Sequence, residues 1–174
     1  MKNYFILGFN AHKDNVTSLD CTKDDALIGS GSVDCTAKII NCQSNKVLST
    51  FKCGESVSQQ DENDSVESVS FCSSLPLFAT GTVNGAIEIW DITNHTRRHL
   101  VQQTSGISKL LWSSNSNHLL LTAGLDGISR IYDGRSGQLY DTKCGHSDQI
   151  LDFCVSQFRI LTASEDNTCR VFSL

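Results

Sequence analysis

The sequence predicts an all-β fold, a β-propeller of four blades, and three observations predict it. A short phrase with Asp or Asn in a turn occurs four times, at Asp34, Asn84, Asp126 and Asp166. These positions are 50, 42 and 40 residues apart, and a unit of about 40 to 45 residues is typical of a four-stranded propeller blade. Each copy also shows the period-2 alternation of strands, not the apolar stripes of helical repeats.

The repeats divide the chain into four blades and two further segments. The blades are predicted at about residues 12–51, 62–102, 103–144 and 146–174. An acidic loop is predicted at residues 52–65. The stretch from Tyr4 to Leu7 is predicted as an outer strand that either closes the last blade or belongs to a preceding one.

The third copy shows the four strands of one blade most clearly. They are predicted at Ile107 to Trp112, Leu119 to Gly124, Ile128 to Asp133 and Gln138 to Lys143. Between the second and third strands of most copies, Asp or Asn is followed by Gly or Asn, residues that tolerate the positive φ angles of a type I′ turn. The first copy has Asp34-Cys35 instead, a weaker signal. A tight antiparallel hairpin is therefore expected in every blade.

The third strand of each copy alternates in register with the turn. Its charged members are Lys38, Glu88, Arg130 and Arg170, and the positions beside them are mostly apolar. Two residues after each charge stands a bulky side chain, which is Ile40, Trp90, Tyr132 or Phe172. Because no blade can bury both of its faces alone, the blades are expected to stack on one another.

Composition excludes several classes of protein. Among the 174 residues, 39% are apolar and only one is proline, and no apolar stretch approaches the roughly 20 residues of a transmembrane segment. The eight cysteines show no C-x-x-C spacing, and most lie in apolar strand patterns, as Cys154 and Cys169 do. We therefore expect buried, reduced thiols and a cytoplasmic protein.

The net charge of −5 arises from one segment of the chain. Its five carboxylates are Glu55, Asp61, Glu62, Asp64 and Glu67, and no Lys or Arg lies among them. The rest of the chain carries 14 basic and 14 acidic residues, so binding to nucleic acid through a basic face is not expected. The segment is either a solvated loop without a partner or a contact site for a basic protein, and it is the candidate partner-binding site.

Several residues carry a resemblance to a known family. Trp90-Asp91, Gly145-His146 and the recurrent turn Asp resemble the signatures of WD-repeat propellers. Longer phrases, such as SVDCTAK and LDGISRIYD, resemble the carboxyl-terminal half of a longer WD-repeat protein connected with cell migration. Because only half of that protein is matched, the four blades are expected to be an incomplete propeller, a fragment of a longer one.

The resemblance implies a buried hydrogen-bond network of a His, a hydroxyl group, the turn Asp and a Trp. The matching positions are His12, Ser30, Asp34, Thr80, Trp90, Thr122, Asp126, His146, Thr162 and Asp166. No copy has the whole set. At the position of the His, the second copy has Glu62 and the third has Gln103.

The set of His146, Thr162 and Asp166 also has the residue types of a catalytic triad. The same types recur at equivalent positions of the first copy, which favours a packing role, because a catalytic site is rarely duplicated along a repeat. The two close histidines, His95 and His99, lack the further ligands of a zinc site. We expect no catalytic residue, metal, cofactor or small-molecule substrate.

The sequence therefore predicts a non-catalytic scaffold that binds protein partners. The resemblance implies a connection with cell migration. A related fungal WD-repeat protein is a chaperone of a newly made ribosomal protein, which implies the alternative of a chaperone for a basic ribosomal protein in ribosome assembly. The acidic segment favours this alternative slightly.

Overall fold

The computed structural model describes residues 8, 10–54, 64–113, 118–156 and 158–174. In this described part of the chain, fifteen β-strands, β1 to β15, form four antiparallel sheets in chain order. No helix occurs among the described residues. The predicted all-β class with four repeated sheets is confirmed.

Each sheet is built from strands that are consecutive in the chain. The first contains β1 (Val16–Cys21), β2 (Leu27–Ser32), β3 (Thr36–Asn41) and β4 (Lys46–Lys52). The second contains β5 (Val66–Phe71), β6 (Leu77–Thr82), β7 (Ala86–Asp91) and β8 (Thr96–Gln102). The third contains β9 (Ile107–Trp112), β10 (Leu119–Gly124), β11 (Ser129–Asp133) and β12 (Gln138–Lys143). The fourth contains β13 (Ile150–Val155), β14 (Arg159–Ser164) and β15 (Cys169–Ser173).

The strands predicted for the third repeat agree closely with the observed ones. Three have the predicted bounds, and β11 begins at Ser129 instead of Ile128. Ile128 belongs to the turn, where its carbonyl accepts the Gly124 N–H at 3.0 Å. The predicted outer strand from Tyr4 to Leu7 lies outside the described residues.

Three apolar clusters lie between successive sheets and hold the array together. Between the first two sheets, Phe51 packs on Phe78 and Trp90, with ring centroids 6.1 Å and 4.6 Å apart. Equivalent clusters join the second sheet to the third and the third to the fourth. The described sheets form an unclosed succession, which is an incomplete propeller.

The predicted alternation is observed around Lys38 in β3 and Arg130 in β11, which are half-buried between buried neighbours, whereas in β7 Glu88 is buried like its neighbours. The buried positions are Ala37 and Ile39 in β3, Ile87 and Ile89 in β7, and Ser129 and Ile131 in β11. The equivalent residues of β15, Cys169 and Val171, are exposed, because no further sheet among the described residues covers that face. Position in the array therefore decides burial where the sequence pattern is the same.

The expectation of buried cysteines is wrong for most of them. All eight are free thiols, but only Cys53 is buried. Cys154 and Cys169 lie in strands, as their sequence pattern predicts, yet both are exposed. They belong to the uncovered face of the fourth sheet, so a strand pattern alone did not determine their burial.

The turns between the second and third strands differ from the predicted type I′ geometry. Only the second residue of each pair has positive φ, at Cys35, Gly85, Gly127 and Asn167. In the second sheet the Gly85 N–H bonds the Thr82 carbonyl at 3.1 Å, which is typical of a three-residue loop with a left-handed last residue. The Asp side chain before that residue accepts a backbone N–H two positions on, at 3.1 Å for Asp34 and Thr36 and at 3.2 Å for Asp126 and Ile128.

The left-handed φ of 62° at Cys35 leads to a prediction about stability. Replacing Cys35 by Gly should raise the free energy of unfolding by up to about 1 kcal/mol, because Gly adopts this conformation without the strain of a β-carbon. The matched control Cys42→Gly, at a position without positive φ, should lower it by about 0.5–1 kcal/mol. Urea denaturation followed by circular dichroism measures both, and equal shifts would contradict the prediction.

Candidate functional site

A buried network joins the segment before β1 to the rest of the first sheet. His12 Nε2 lies 2.7 Å from the Ser30 hydroxyl on β2, and His12 Nδ1 lies 3.1 Å from the Asp34 carboxylate in the turn. Thr36 Oγ1 also donates to Asp34, at 2.5 Å. This geometry suits an Nδ1–H that donates to the carboxylate and an Nε2 that accepts the hydroxyl proton.

The pKa of Asp34 reflects this environment. Burial alone would raise the pKa, but hydrogen bonds from Thr36, the Lys13 N–H and His12 lower it to about 2, from an ordinary value of 3.8. Asp34 is therefore a carboxylate at neutral pH and fixes the turn to the segment before β1.

The fourth sheet repeats the arrangement of the first. His146 Nδ1 lies 2.7 Å from Asp166, and His146 Nε2 lies 2.7 Å from the Thr162 hydroxyl. The hydrogen bond from Thr168 is the main cause that lowers the pKa of Asp166 far below its ordinary range, with His146 contributing. The structure thus brings together the two predicted sets of His, hydroxyl and Asp.

The second sheet contains a different network. Trp90 Nε1 donates to Thr80 Oγ1 at 3.2 Å. This is the contact expected between the Trp and the hydroxyl of the predicted network. Their further partners are Glu88, whose carboxylate binds Arg97 at 2.7 Å, and the Cys53 thiol, which lies 3.6 Å from the Thr80 hydroxyl. Burial raises the pKa of Glu88 and, with the Glu88 charge, that of Cys53.

Sequence reasoning missed Cys53, Glu88 and Arg97 as members of the second network. Glu62, predicted at the position of the His, lies outside the described residues. One signal was available for Cys53, because it directly follows β4 just as Gln103 directly follows β8. The sequence analysis placed Glu62 at the position of the His in the second copy, so the equivalence of Cys53 and Gln103 was not recognised.

The third sheet connects its hydroxyl and its turn Asp through two side chains in place of the His. Gln103 donates to Thr122 at 3.0 Å and to the Tyr132 hydroxyl at 2.9 Å. Asp126 instead forms a pair of contacts with the Arg130 guanidinium, the shorter at 2.7 Å. Arg130 Nη1 also donates to Gln103 Oε1 at 3.2 Å. Asp126 is therefore joined to Thr122 through Arg130 and Gln103, where the network pattern implied a single His.

The sets of His, hydroxyl and Asp in the first and fourth sheets resemble a catalytic triad, but their hydroxyl groups are not accessible to a substrate. Ser30 and Thr162 are both buried beneath the histidine that contacts them. A nucleophile must come within bonding distance of a substrate atom. The arrangement connects strands and turns within a blade and supports a structural role.

The candidate partner-binding segment is described in part. Glu55, Asp61 and Glu62 lie outside the described residues, and Glu67 lies half-buried on β5. Asp64 departs from the expectation of an exposed carboxylate, because it is buried against Gly54, which has no side chain to hold it away. Asp64 is therefore not available to a partner in this conformation.

The described surface near that segment is not uniformly acidic. Asp34, Asp126 and Asp166 in the turns are occupied by His12, Arg130 and His146. A cavity of about 500 Å³ beside Gly54 is lined by Lys13, Lys38 and Lys52 among other residues. The charge available to a partner thus depends on which loop it contacts.

Two further features of the described residues bear on function. They contain no group of three or more His, Cys, Asp or Glu side chains placed to hold a metal ion. The described part of the chain also has no helix that could span a membrane.

Four segments of the chain match the family described as WD40, the WD domain, G-beta repeat. The matched residues are 3–41, 51–91, 94–133 and 137–173. Each match ends with the third strand of a sheet, and the last three begin in or just before the last strand of the preceding sheet. A repeat in the sequence therefore spans two neighbouring sheets.

Known proteins resemble the chain over most of its length. It is 36% identical to the human angio-associated migratory cell protein, over 97% of this chain and 41% of that protein. The crystal structure of Saccharomyces cerevisiae Sqt1 has a TM-score of 0.82 at 24% identity, over 94% of this chain and 47% of that one. Chaetomium thermophilum Sqt1 bound to the N-terminus of ribosomal protein L10 has a TM-score of 0.80 at 22% identity, over 91% and 43%. The chain thus spans less than half the length of these relatives, and the two structures show the fold alone.

The first network predicts the consequence of removing its histidine. Replacing His12 by Leu should lower the free energy of unfolding by about 1–3 kcal/mol, because Ser30 and Asp34 lose a buried partner. His12→Gln should cost less, since Gln103 fills the equivalent role in the third sheet. Urea denaturation measures both, with His118→Gln as a control on a half-buried His. Equal losses for Leu and Gln would contradict the hydrogen-bond argument.

The lowered pKa of Asp34 predicts a pH dependence of stability. A carboxylate whose folded pKa of about 2 lies below its ordinary value of 3.8 stabilises the fold above the ordinary value, and this contribution is lost as the pH falls toward 2. The stability difference between the wild type and Asp34→Asn should therefore be full at pH 6 and shrink between pH of about 4 and 2. Denaturant titrations across this range test it, and a difference independent of pH would refute it.

Proposed function

The chain belongs to the WD40 repeat family, and from that premise we propose that it is a non-catalytic scaffold that binds protein partners in the cytoplasm. One observation carries the proposal. The His, hydroxyl and Asp side chains that could support catalysis form buried contacts within the blades. The loops at the ends of the strands are left to make external contacts, as is common for repeated blades.

The similarity to the human angio-associated migratory cell protein supports a finer proposal. That protein is named for migratory cells, and the 36% identity extends over 97% of this chain. We extend the connection with cell migration to this chain. The scaffold would contribute its loops and exposed faces to an assembly.

An alternative function is chaperoning of a basic ribosomal protein during ribosome assembly. It is supported by the fold shared with Sqt1, whose Chaetomium thermophilum form is bound to the N-terminus of ribosomal protein L10. The acidic segment supports it too, because its carboxylates other than the buried Asp64 have no Lys or Arg among them, and such a group attracts a basic segment in a salt-dependent way.

Affinity capture from a cell extract separates the two functions. Cytoskeletal or signalling proteins among the retained partners would support the scaffold in cell migration. A ribosomal protein would support the chaperone. Retention that is unchanged when the acidic segment is neutralised would count against a contact at that segment.

The contribution of the acidic segment is testable by charge removal. Changing Glu55, Asp61, Glu62 and Glu67 to Gln should leave the thermal stability nearly unchanged and weaken binding of a synthetic N-terminal peptide of ribosomal protein L10, most strongly at low salt. A control variant neutralises four exposed carboxylates elsewhere, namely Asp14, Asp25, Asp148 and Glu165. Fluorescence anisotropy at several salt concentrations measures the affinities. Equal affinities for both variants would contradict a specific contact.

A further inference from the structure

The outer edge of the second sheet carries basic side chains that the proposed function does not use. The second sheet has a neighbour on each face, and its first strand, β5, contacts the first strands of both neighbours. The last strand, β8, therefore lies on the outer rim of the array. Among the described strands none pairs with its free edge. β8 contains Arg97, Arg98 and His99 in succession and no Asp or Glu.

Arg97 is the one of these three that serves the interior of the sheet. Its Nη1 lies 2.7 Å from the carboxylate of Glu88, whose side chain is fully buried. Its guanidinium carbon also lies 6.0 Å from the centroid of the Trp90 ring. Removing Arg97 would leave a buried carboxylate without its partner, which is strongly destabilising. Arg97 is therefore part of the core and not of a binding surface.

Arg98 has a charge that its neighbours leave available. Its side chain is 47% exposed, and its Nε lies 4.0 Å from the Asp91 carboxylate. That carboxylate accepts the backbone N–H groups of Thr93 and Asn94 at 2.9 Å and 3.2 Å, and the hydrogen bond from Thr93 is the main cause that lowers the pKa of Asp91. A long and exposed ion pair contributes little, so the Arg98 guanidinium is free to bind a stronger acceptor.

The turn between β11 and β12 places a second arginine next to Arg98. His99 Nε2 donates to the Arg135 carbonyl at 2.8 Å. The Arg135 side chain is 60% exposed, and its Nε lies 3.8 Å from Asp133, whose carboxylate accepts the Arg135 N–H at 2.8 Å. We call Arg98, His99 and Arg135 the basic rim.

The free edge of β8 also presents backbone groups beside the basic rim. The Gln103 N–H bonds the Gly85 carbonyl at 2.9 Å, and the direction of the backbone groups alternates along a strand. The N–H and C=O groups of Leu100 and Gln102 therefore point away from β7, toward the free edge. Arg98 is the extra residue of a β-bulge, and after it the pairing with β7 is regular. This regular stretch is a short edge with which an extended peptide can pair.

We propose that the basic rim binds an acidic segment of a partner protein, which adds as a short strand to the free edge of β8 and places carboxylates on Arg98 and Arg135. Main-chain hydrogen bonds provide affinity in this binding mode, and side chains provide selectivity. Bonds between guanidinium and carboxylate groups are among the strong charge-assisted ones. Asp91 and Asp133 disfavour a broad polyanion, such as nucleic acid or a membrane, because it would also meet their negative charges.

This inference goes beyond the proposed function, because it assigns a second surface to a partner of opposite charge. The acidic segment is expected to attract a basic protein, whereas the basic rim attracts an acidic one. The two surfaces are separate in the chain and can be altered independently. A scaffold with both would bring two partners of different charge onto one chain.

A charge substitution tests the two arginines. The probe is a short fluorescein-labelled peptide of alternating Glu and Val, and the same peptide with Gln in place of Glu controls for charge. The double variant Arg98→Gln with Arg135→Gln should weaken binding of the Glu peptide at least about tenfold. The control double variant Lys23→Gln with Arg159→Gln removes two exposed charges elsewhere and should retain the wild-type affinity. Fluorescence anisotropy measures the affinities, and circular dichroism verifies that each variant is folded.

Three results would overturn the proposal. If the wild type does not bind the Glu peptide, the charges of β8 serve only to protect the edge from strand pairing. Equal affinity for the Glu and Gln peptides, or equal weakening in both double variants, would refute recognition of charge at the basic rim. Binding of polyuridine RNA or phosphatidylserine vesicles at the basic rim in place of the peptide would assign it to another class of partner. None of these results involves the acidic segment, so each is distinguishable from a failure of the proposed function.

Amide hydrogen exchange followed by NMR tests the added strand directly. Binding of the Glu peptide should slow exchange of the Leu100 and Gln102 amides, because the added strand covers them. The equivalent residues of β4 are Thr50 and Lys52, and exchange of their amides should be unchanged. Unaltered exchange at Leu100 and Gln102 in the presence of saturating peptide would contradict the addition of a strand to β8.

Discussion

The burial of apolar sheet faces against neighbouring sheets is the constraint on which the rest of the structure depends. Ile39 of the first sheet, Ile89 of the second and Ile131 of the third are all excluded from water by a neighbouring sheet. A single four-stranded sheet cannot achieve this, so each blade is stable only as part of a series. The spacing of the sheets in turn fixes where the loops and buried polar groups lie.

Packing of the sheets also buries polar groups near the turns, and these find hydrogen-bond partners in different ways. His12 and His146 join a hydroxyl to a turn carboxylate, Gln103 joins a hydroxyl to a tyrosine, and the Cys53 thiol contacts Thr80 beside a buried ion pair. The common requirement is that a hydroxyl on the second strand finds a partner once neighbouring sheets exclude water. Different side chains meet it, which explains why a single network pattern describes the repeats incompletely.

The available binding surface follows from the same packing. Carboxylates in the turns are occupied by nearby His and Arg side chains, whereas Lys13, Lys38 and Lys52 line a cavity beside Gly54. A partner at this cavity would therefore meet basic side chains, although the net charge of the chain is negative. This pattern favours recognition by specific position over attraction by net charge alone.

The strands, their order and the positions of the turns were predictable from the sequence alone. Alternation and turn chemistry are local properties, so the bounds of β9, β10 and β12 and the hairpins at Asp34 and Asp126 were predictable. The tertiary structure decided the burial of Asp64, the exposure of Cys154 and Cys169, and the pairing of Asp126 with Arg130. Each of these depends on which residues from another strand or sheet approach a side chain, and no spacing within one repeat contains that information.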